Sequence, residues 1–146
     1  MRKLLVPVSI HSRPAQLCSA VTEAIAIYHR EQSVQIHLLS VQTPVSQHVA
    51  EFFGSAELRQ IHREAAREEL APLAAELRKA NVPFLTHIEI GRTAETIVRF
   101  ATEIRCDRII MGRAPQASVA ERLFGTLASE VRNLLGNAES CRVIGS

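Results

Sequence analysis

The sequence predicts a doubly wound α/β domain built on a five-stranded parallel sheet. Two observations carry this prediction. Five short apolar runs rich in β-branched residues recur along the chain, and stretches with the 3.6-residue periodicity of amphipathic helices lie between them. Parallel neighbours require such crossover helices, and right-handed crossovers place helices on both faces of the sheet. A third observation bounds the size: the 146 residues contain no linker, repeat or low-complexity tract, so residues 1–146 read as one domain with enough length to bury its own core.

The first strand is "KLLVPV", Lys3 to Val8, a run suited to burial on both faces. In "SIHSRPAQ", Ser12 is an expected helix N-cap, and Pro14 falls in the first turn, where proline is tolerated. Cys18, Val21, Ile25 and Tyr28, with Leu17 and Ala24 beside them, mark the apolar face of that helix. "VQIHLLSV", Val34 to Val41, is the second strand, and a loop rich in Pro, Ser and Gln follows it. A long helical pattern runs from Ser55 to Ala80 through Leu58, Ile61, Ala65, Ala66, Leu70, Leu73 and Leu77. Pro72 inside it predicts a kink or break near residues 68 to 72, because proline removes one amide donor and clashes with the carbonyl four residues earlier.

"FLTHIEI", Phe84 to Ile90, alternates like a strand with one more polar face, and Gly91 ends it. Thr93 is an expected cap for a helix with apolar positions at Ala94, Ile97, Val98, Ala101 and Ile104. "RIIMG", Arg108 to Gly112, is the fourth strand; Leu127, Val131, Leu134 and Leu135 mark the last helix; "CRVIG", Cys141 to Gly145, is the fifth strand. The central core is expected at Val6, Val8, Ile36, Leu38, Ile109 and Ile110.

Composition narrows the function classes. Hydrophobic residues make up 47% and charged residues 22%, an ordinary globular mixture. The formal net charge is +2, and the arginines are dispersed among glutamates, so nucleic-acid binding is not expected. Cys18, Cys106 and Cys141 are odd in number, widely spaced and outside any C-x-x-C pair, which argues against a disulfide framework or zinc site and for buried reduced thiols. The histidines lack metal-ligand spacing, so no metal site is expected. The apolar run Leu4 to Val8 is too short for a signal segment, and no run approaches a membrane span. The expectation is a soluble cytoplasmic protein without membrane contact.

In an open parallel sheet, ligands bind beyond the carboxyl ends of the strands where strand order reverses. Here the relevant loops are "SIHSR" after the first strand and "GRAPQAS" after the fourth, with Gly125 and Thr126 further on. A phosphate cradle needs glycines where the backbone approaches the anion, and free amides at a helix N-terminus whose dipole favours negative charge. Gly112 and the pair Gly125 and Thr126 suit that task. Pro115 does not, since it lacks an N–H and fixes φ near −65°. Ser9, His11 and Ser12 belong to the mouth of the crevice, as turn residues first and ligand contacts second. His11 and Arg113 are the candidate cations for an anion there.

The blocks "LLVPVSIHS", "HLLSV", "GRTAETIVRFATEIRCDRIIMGR" and "RLFGTLASEVRNLL" resemble, in order and across nearly the whole chain, the universal stress proteins, the UspA-like family. The resemblance implies strand order 3-2-1-4-5, the arrangement of the adenine nucleotide alpha hydrolase-like fold. In ATP-binding members it implies G-x2-G-x9-G-[ST] between the fourth strand and the last helix. On this chain Gly112 holds the first position, Pro115 the second, and Gly125 and Thr126 the last pair. The family's strand-one aspartate, a nucleotide contact in ATP-binding members, falls on Ser9. The resemblance therefore implies a non-catalytic stress-response binding module with a degenerate nucleotide or anion site at Ser9, His11, Gly112, Arg113, Pro115, Gly125 and Thr126. No firm cofactor is expected, with ATP or AMP at weak affinity; the alternative is an ATP-binding member with slow hydrolysis. A homodimer through the Cys141 to Gly145 strand is expected, because a short apolar terminal edge invites pairing and the family suggests it.

Other tenants of the architecture lack their signatures here. A receiver domain needs paired acids after the first strand, where this chain has "SIHS", and a dinucleotide fold needs G-x-G-x-x-G. Ser-Gly-Gly-x-Asp-Ser and His-x-Gly-His loops are likewise not found.

Overall fold

The computed structural model describes residues 1–31, 33–113, 126–136 and 140–145. Among the described residues the elements follow in order: β1 (Arg2–Ser9), α1 (Pro14–Arg30), β2 (Val34–Gln42), α2 (Gln47–Ala50), α3 (Ser55–Lys79), β3 (Phe84–Ile90), α4 (Thr93–Glu103), β4 (Arg108–Gly112), α5 (Leu127–Leu135) and β5 (Arg142–Gly145). The strands form one sheet of order β3-β2-β1-β4-β5, with every pair parallel, as the alternation of elements and the family resemblance imply.

Alternation along the strands divides the interior into two layers. Leu4, Val6, Val8, Ile36, Leu38 and Ile110 face α1 and α3, where they meet Ala20, Val21, Ala24, Ile27, Leu70, Leu73 and Leu77. Leu5, Leu39, Val41, Ile109 and Met111 face α4 and α5, where they meet Ala94, Ile97, Phe100, Ala101, Ala128 and Val131. All six residues expected in the central core are buried.

Several local expectations are corrected. α3 runs unbroken through Pro72. Both Pro72 and Glu68, whose carbonyl loses its amide partner, lie on the exposed face, so water can take that hydrogen bond and the buried face keeps the helix continuous. The N-cap of α1 is Arg13, with Pro14 in its first turn, because the Ser12 hydroxyl accepts from the Ser9 N–H at 3.0 Å instead. Thr93 is the first helical residue of α4 and Arg92 its cap. The Pro/Ser/Gln loop contains the short helix α2, capped by the Ser46 hydroxyl. Cys18 is exposed, Cys141 is half-buried and only Cys106 is buried. The inward stripe of α1 runs through Ala20, Val21, Ala24 and Ile27, and Cys18 lies outside it.

Two polar clusters fix the sheet. His37 Nδ1 and His87 Nε2 on β2 and β3 lie 2.8 Å apart with stacked rings, and His37 Nε2 meets Gln35 Oε1 at 2.8 Å. Burial, and then the neighbouring His87, lower the His37 pKa to about 4, and burial also lowers that of His87. At the amino ends of the strands, the Arg108 guanidinium forks onto Glu31 at 2.7 and 2.8 Å and onto Asp107 at 2.8 Å. Arg2 adds a bond to Glu31 at 3.0 Å. Glu31 follows α1, so this cluster ties the end of α1 to the start of β4.

The Arg108 hydrogen bond, with Arg2 assisting, lowers the Glu31 pKa from 4.5 to about 2. A depressed carboxylate contributes stability that is present above its unfolded pKa and lost as pH falls through the folded one. Glu31→Gln is therefore expected to be less stable than the parent at neutral pH, with the gap closing between pH 4.5 and about 2. Urea denaturation across that range checks this, and a gap independent of pH contradicts it.

Candidate functional site

The sheet opens where β1 parts from β4. Register pairs between them are Leu4 with Arg108 and Leu5 with Ile109, and the ladder does not extend to Pro7, which has no N–H to donate. β1 stays paired with β2 through Ser9 and Val41. On the other side β4 stays paired with β5, with a register shift between Ile110 and Gly112 that sets Met111 out of step. The carboxyl ends of β1 and β4 thus separate at the topological switch point, and a crevice of about 800 Å³ lies there.

Pro7, Val8, Ile97, Met111, Leu127 and Leu134 supply its apolar surface. Its polar surface comes from Ser9, His11, Ser12, Arg13 and Gln16 after β1, Arg92, Thr93 and Glu95 at the start of α4, and Thr126, Glu130 and Asn133 on α5. The volume suits a small organic ligand, and the mixture of apolar wall and convergent polar groups is what such sites need.

Of the residues expected from sequence, Ser9, His11 and Thr126 meet in this crevice. Ser9 is buried, and its hydroxyl accepts from the His11 N–H at 3.3 Å while its own N–H donates to Ser12 at 3.0 Å. The turn after β1 is therefore closed on itself by two serine hydroxyls. Thr126 caps α5: its hydroxyl accepts from the Ser129 N–H at 3.1 Å, and the Ser129 hydroxyl accepts from the Thr126 N–H at 2.9 Å. This capping box occupies the Ser129 amide and points the positive end of the α5 dipole at the crevice.

Gly112 has a second reason to be glycine. Its φ is +75°, and a Cβ there would lie 2.1 Å from the Gln16 carbonyl oxygen of α1. At Gly145, φ +122°, a Cβ would lie 2.5 Å from the Gly112 carbonyl oxygen. The end of β4 is thus pressed between α1 and β5. The Arg113 N–H donates to the Ser19 hydroxyl at 3.2 Å, and its exposed side chain lies outside the crevice lining. Pro115 and Gly125 lie outside the described residues.

Sequence reading did not single out Arg13, Arg92, Glu130 or Asn133. Arg92 forms an ion pair with Glu95 at 3.7 Å on an exposed helix start, so its charge is accessible to a ligand at the crevice. The available signal was positional: Arg92 follows the glycine that ends β3, and strand carboxyl ends converge in this fold.

The family model for the universal stress protein family matches residues 1–135. The chain is similar in structure to the hypothetical protein MJ0577, with 25% identity, 99% of this chain and 96% of that one covered, and a TM-score of 0.69. A universal stress protein in complex with cAMP gives 11% identity, 100% and 98% coverage and a TM-score of 0.66. An Arabidopsis thaliana member with AMP bound gives 16%, 99% and 90%, and 0.65. No curated protein matches the chain.

Gly112→Ala is expected to destabilise the fold by about 2–4 kcal/mol, from the left-handed backbone and the backbone clash together. Gly54→Ala, where a Cβ meets open space, is expected to change stability by less than about 1 kcal/mol. Urea midpoints compare the two, and equal effects contradict the close-approach argument.

Proposed function

We propose that this chain, which belongs to the universal stress protein family, is a stress-response binding module whose crevice takes an anionic nucleotide weakly and which has no dedicated catalytic residues. The observation that carries the reading is the state of Ser9. At the position where ATP-binding relatives are expected to present an aspartate, the side chain is a buried neutral hydroxyl committed to the His11 amide. Pro115 removes a glycine and an amide from the neighbouring loop by its chemistry alone.

The rest of the crevice supports an anionic ligand. Arg13, Arg92 and His11 line it together with the α5 N-terminus, against the carboxylates Glu95 and Glu130. Val8, Ile97, Met111 and Leu127 offer an apolar wall that suits a base. The cAMP and AMP held by two structural neighbours are ligands of this chemical class. The second reading, an ATP-binding member with slow hydrolysis, draws on the same Thr126 cap and arginines.

Loss of one well-placed hydrogen bond to a charged group costs about 1.5–3 kcal/mol, and each 1.4 kcal/mol is tenfold in affinity. Two such losses move a micromolar site toward millimolar. Calorimetric titration of nucleotide-stripped protein with ATP, with and without magnesium, is expected to give weak binding, and Ser9→Asp combined with Pro115→Gly to strengthen it at least tenfold. Tight magnesium-dependent binding by the parent sinks this reading and promotes the second.

A homodimer through the β5 edge completes the proposal. β5 ends the sheet, and the Arg132 guanidinium donates to the Val143 and Gly145 carbonyls, which lie on alternate residues from the Arg142 N–H that pairs with β4. Pairing with a second chain would exchange these bonds for ladder bonds. Sedimentation is expected to give a dimer at micromolar concentration, with Val143→Pro shifting it to monomer; a parent monomer, or a dimer untouched by that change, counts against the edge.

A further inference from the structure

The three thiols have three different environments. Cys18 is exposed on α1, whereas Cys106 and Cys141 immediately precede the regions where β4 and β5 begin. β4 and β5 are parallel neighbours with Arg108 opposite Arg142, and the Arg142 N–H donates to the Asp107 carbonyl at 3.1 Å. One step back in this register places Cys141 beside Asp107, so the two cysteines sit on adjacent chains about one residue out of step.

Adjacent strands lie roughly 4.8 Å apart, inside the roughly 4.4–6.8 Å Cα separation that a disulfide spans. Both side chains also enter the same layer. Cys106 is part of the core under α4 and α5, and Cys141 packs against that cluster. Strict alternation would put Cys106 with Arg108 on the opposite face, but β4 begins at Arg108 and Cys106 lies before the regular strand. The Cys106 thiol donates to the Arg108 carbonyl at 3.0 Å and the Lys3 carbonyl at 3.4 Å, and Cys141 packs against the cluster that holds it.

We propose that Cys106 and Cys141 form a redox-active dithiol, oxidised by peroxide to an intramolecular disulfide that joins the starts of β4 and β5. The inference stands independently of the nucleotide reading. Cys141 is the better first nucleophile, because it is the more accessible of the two and the neighbouring Cys106 thiol favours its thiolate. The Cys141 neighbour and burial push the Cys106 thiol up. Attack of the Cys141 thiolate on a peroxide oxygen breaks the O–O bond and leaves a sulfenic acid and hydroxide. The Cys106 sulfur, giving up its proton, then attacks the Cys141 sulfur; the S–O bond breaks and water leaves. In total two thiols and one hydrogen peroxide become one disulfide and two waters, with two electrons passing to the peroxide.

The bond would close a covalent loop containing Met111, Thr126, Leu127, Glu130 and Asn133, which form the β4 and α5 side of the crevice. It would also fasten the four-residue edge strand that brings Gly145 against Gly112.

The experiment treats the full chain and its Cys18→Ser variant with hydrogen peroxide, followed by alkylation, nonreducing peptide mapping and thermal unfolding. The expected product is a monomer-linked Cys106 to Cys141 peptide lighter by two hydrogens, in both proteins. The expected rise in Tm is roughly 5–10 °C, reversed by dithiothreitol and lost in Cys141→Ser. Oxidation in denaturant is expected to scatter the bond among the three cysteines, which separates native proximity from sequence. Products confined to Cys18, to sulfinic acid at Cys141, or to bonds between chains overturn the proposal, as does a disulfide that forms without any change in Tm.

Discussion

The short ladder between β1 and β4 is the constraint on which the functional end of this protein depends. A fully paired sheet would run closed across its centre. Here two register pairs hold β1 to β4 at their amino ends, and Pro7 brings no donor to continue them. The tight binding below the break has its own anchor, the Arg108 fork onto Glu31 and Asp107. The sheet is therefore fastened at one end and parted at the other, and the crevice lies at the parted end.

Close packing fixes the end of β4 beside that opening. With Gly112 pressed against the Gln16 carbonyl and Gly145 against Gly112, α1, β4 and β5 meet with no room for a methyl group. A glycine that suits a phosphate cradle is thus also demanded by helix packing. Gly112 is thus demanded by the fold whether or not the crevice holds a nucleotide. Retention of one member of a motif is weak evidence of the whole function when that member has a second, structural duty.

Much of the fold was legible because burial imposes periodicity. The runs Leu4 to Val8 and Ile109 to Gly112 are apolar at every position since both sheet faces are covered, and the helical faces repeat every three to four residues. What failed were single positions whose outcome depends on rotation or solvent. Cys18 lies one position from Leu17, and that step of about 100° carries it from a partly buried edge to the surface. Pro72 has a large local cost, yet on an exposed face the orphan carbonyl can turn to water. The pairing of His37 with His87, fifty residues apart, and of Cys106 with Cys141 follows from strand register, which no local pattern encodes. Arg92 and Asn133 reach the crevice for the same reason: tertiary convergence, with no motif spacing to announce it.

The turn after β1 holds its shape without a charged side chain at Ser9. An aspartate in a buried turn must be compensated by a ligand, a cation or several amides, since an uncompensated buried carboxylate is costly. A serine there needs only the partners that its own turn provides, and the chain supplies them through the His11 and Ser9 amides and the Ser12 hydroxyl. The Ser9 turn is consequently satisfied by its own hydrogen bonds, while an aspartate in its place would need compensation from elsewhere. On the proposed reading, affinity for a nucleotide rests on Arg13, Arg92 and the α5 N-terminus, which attract negative charge broadly and discriminate little between one phosphate ester and another.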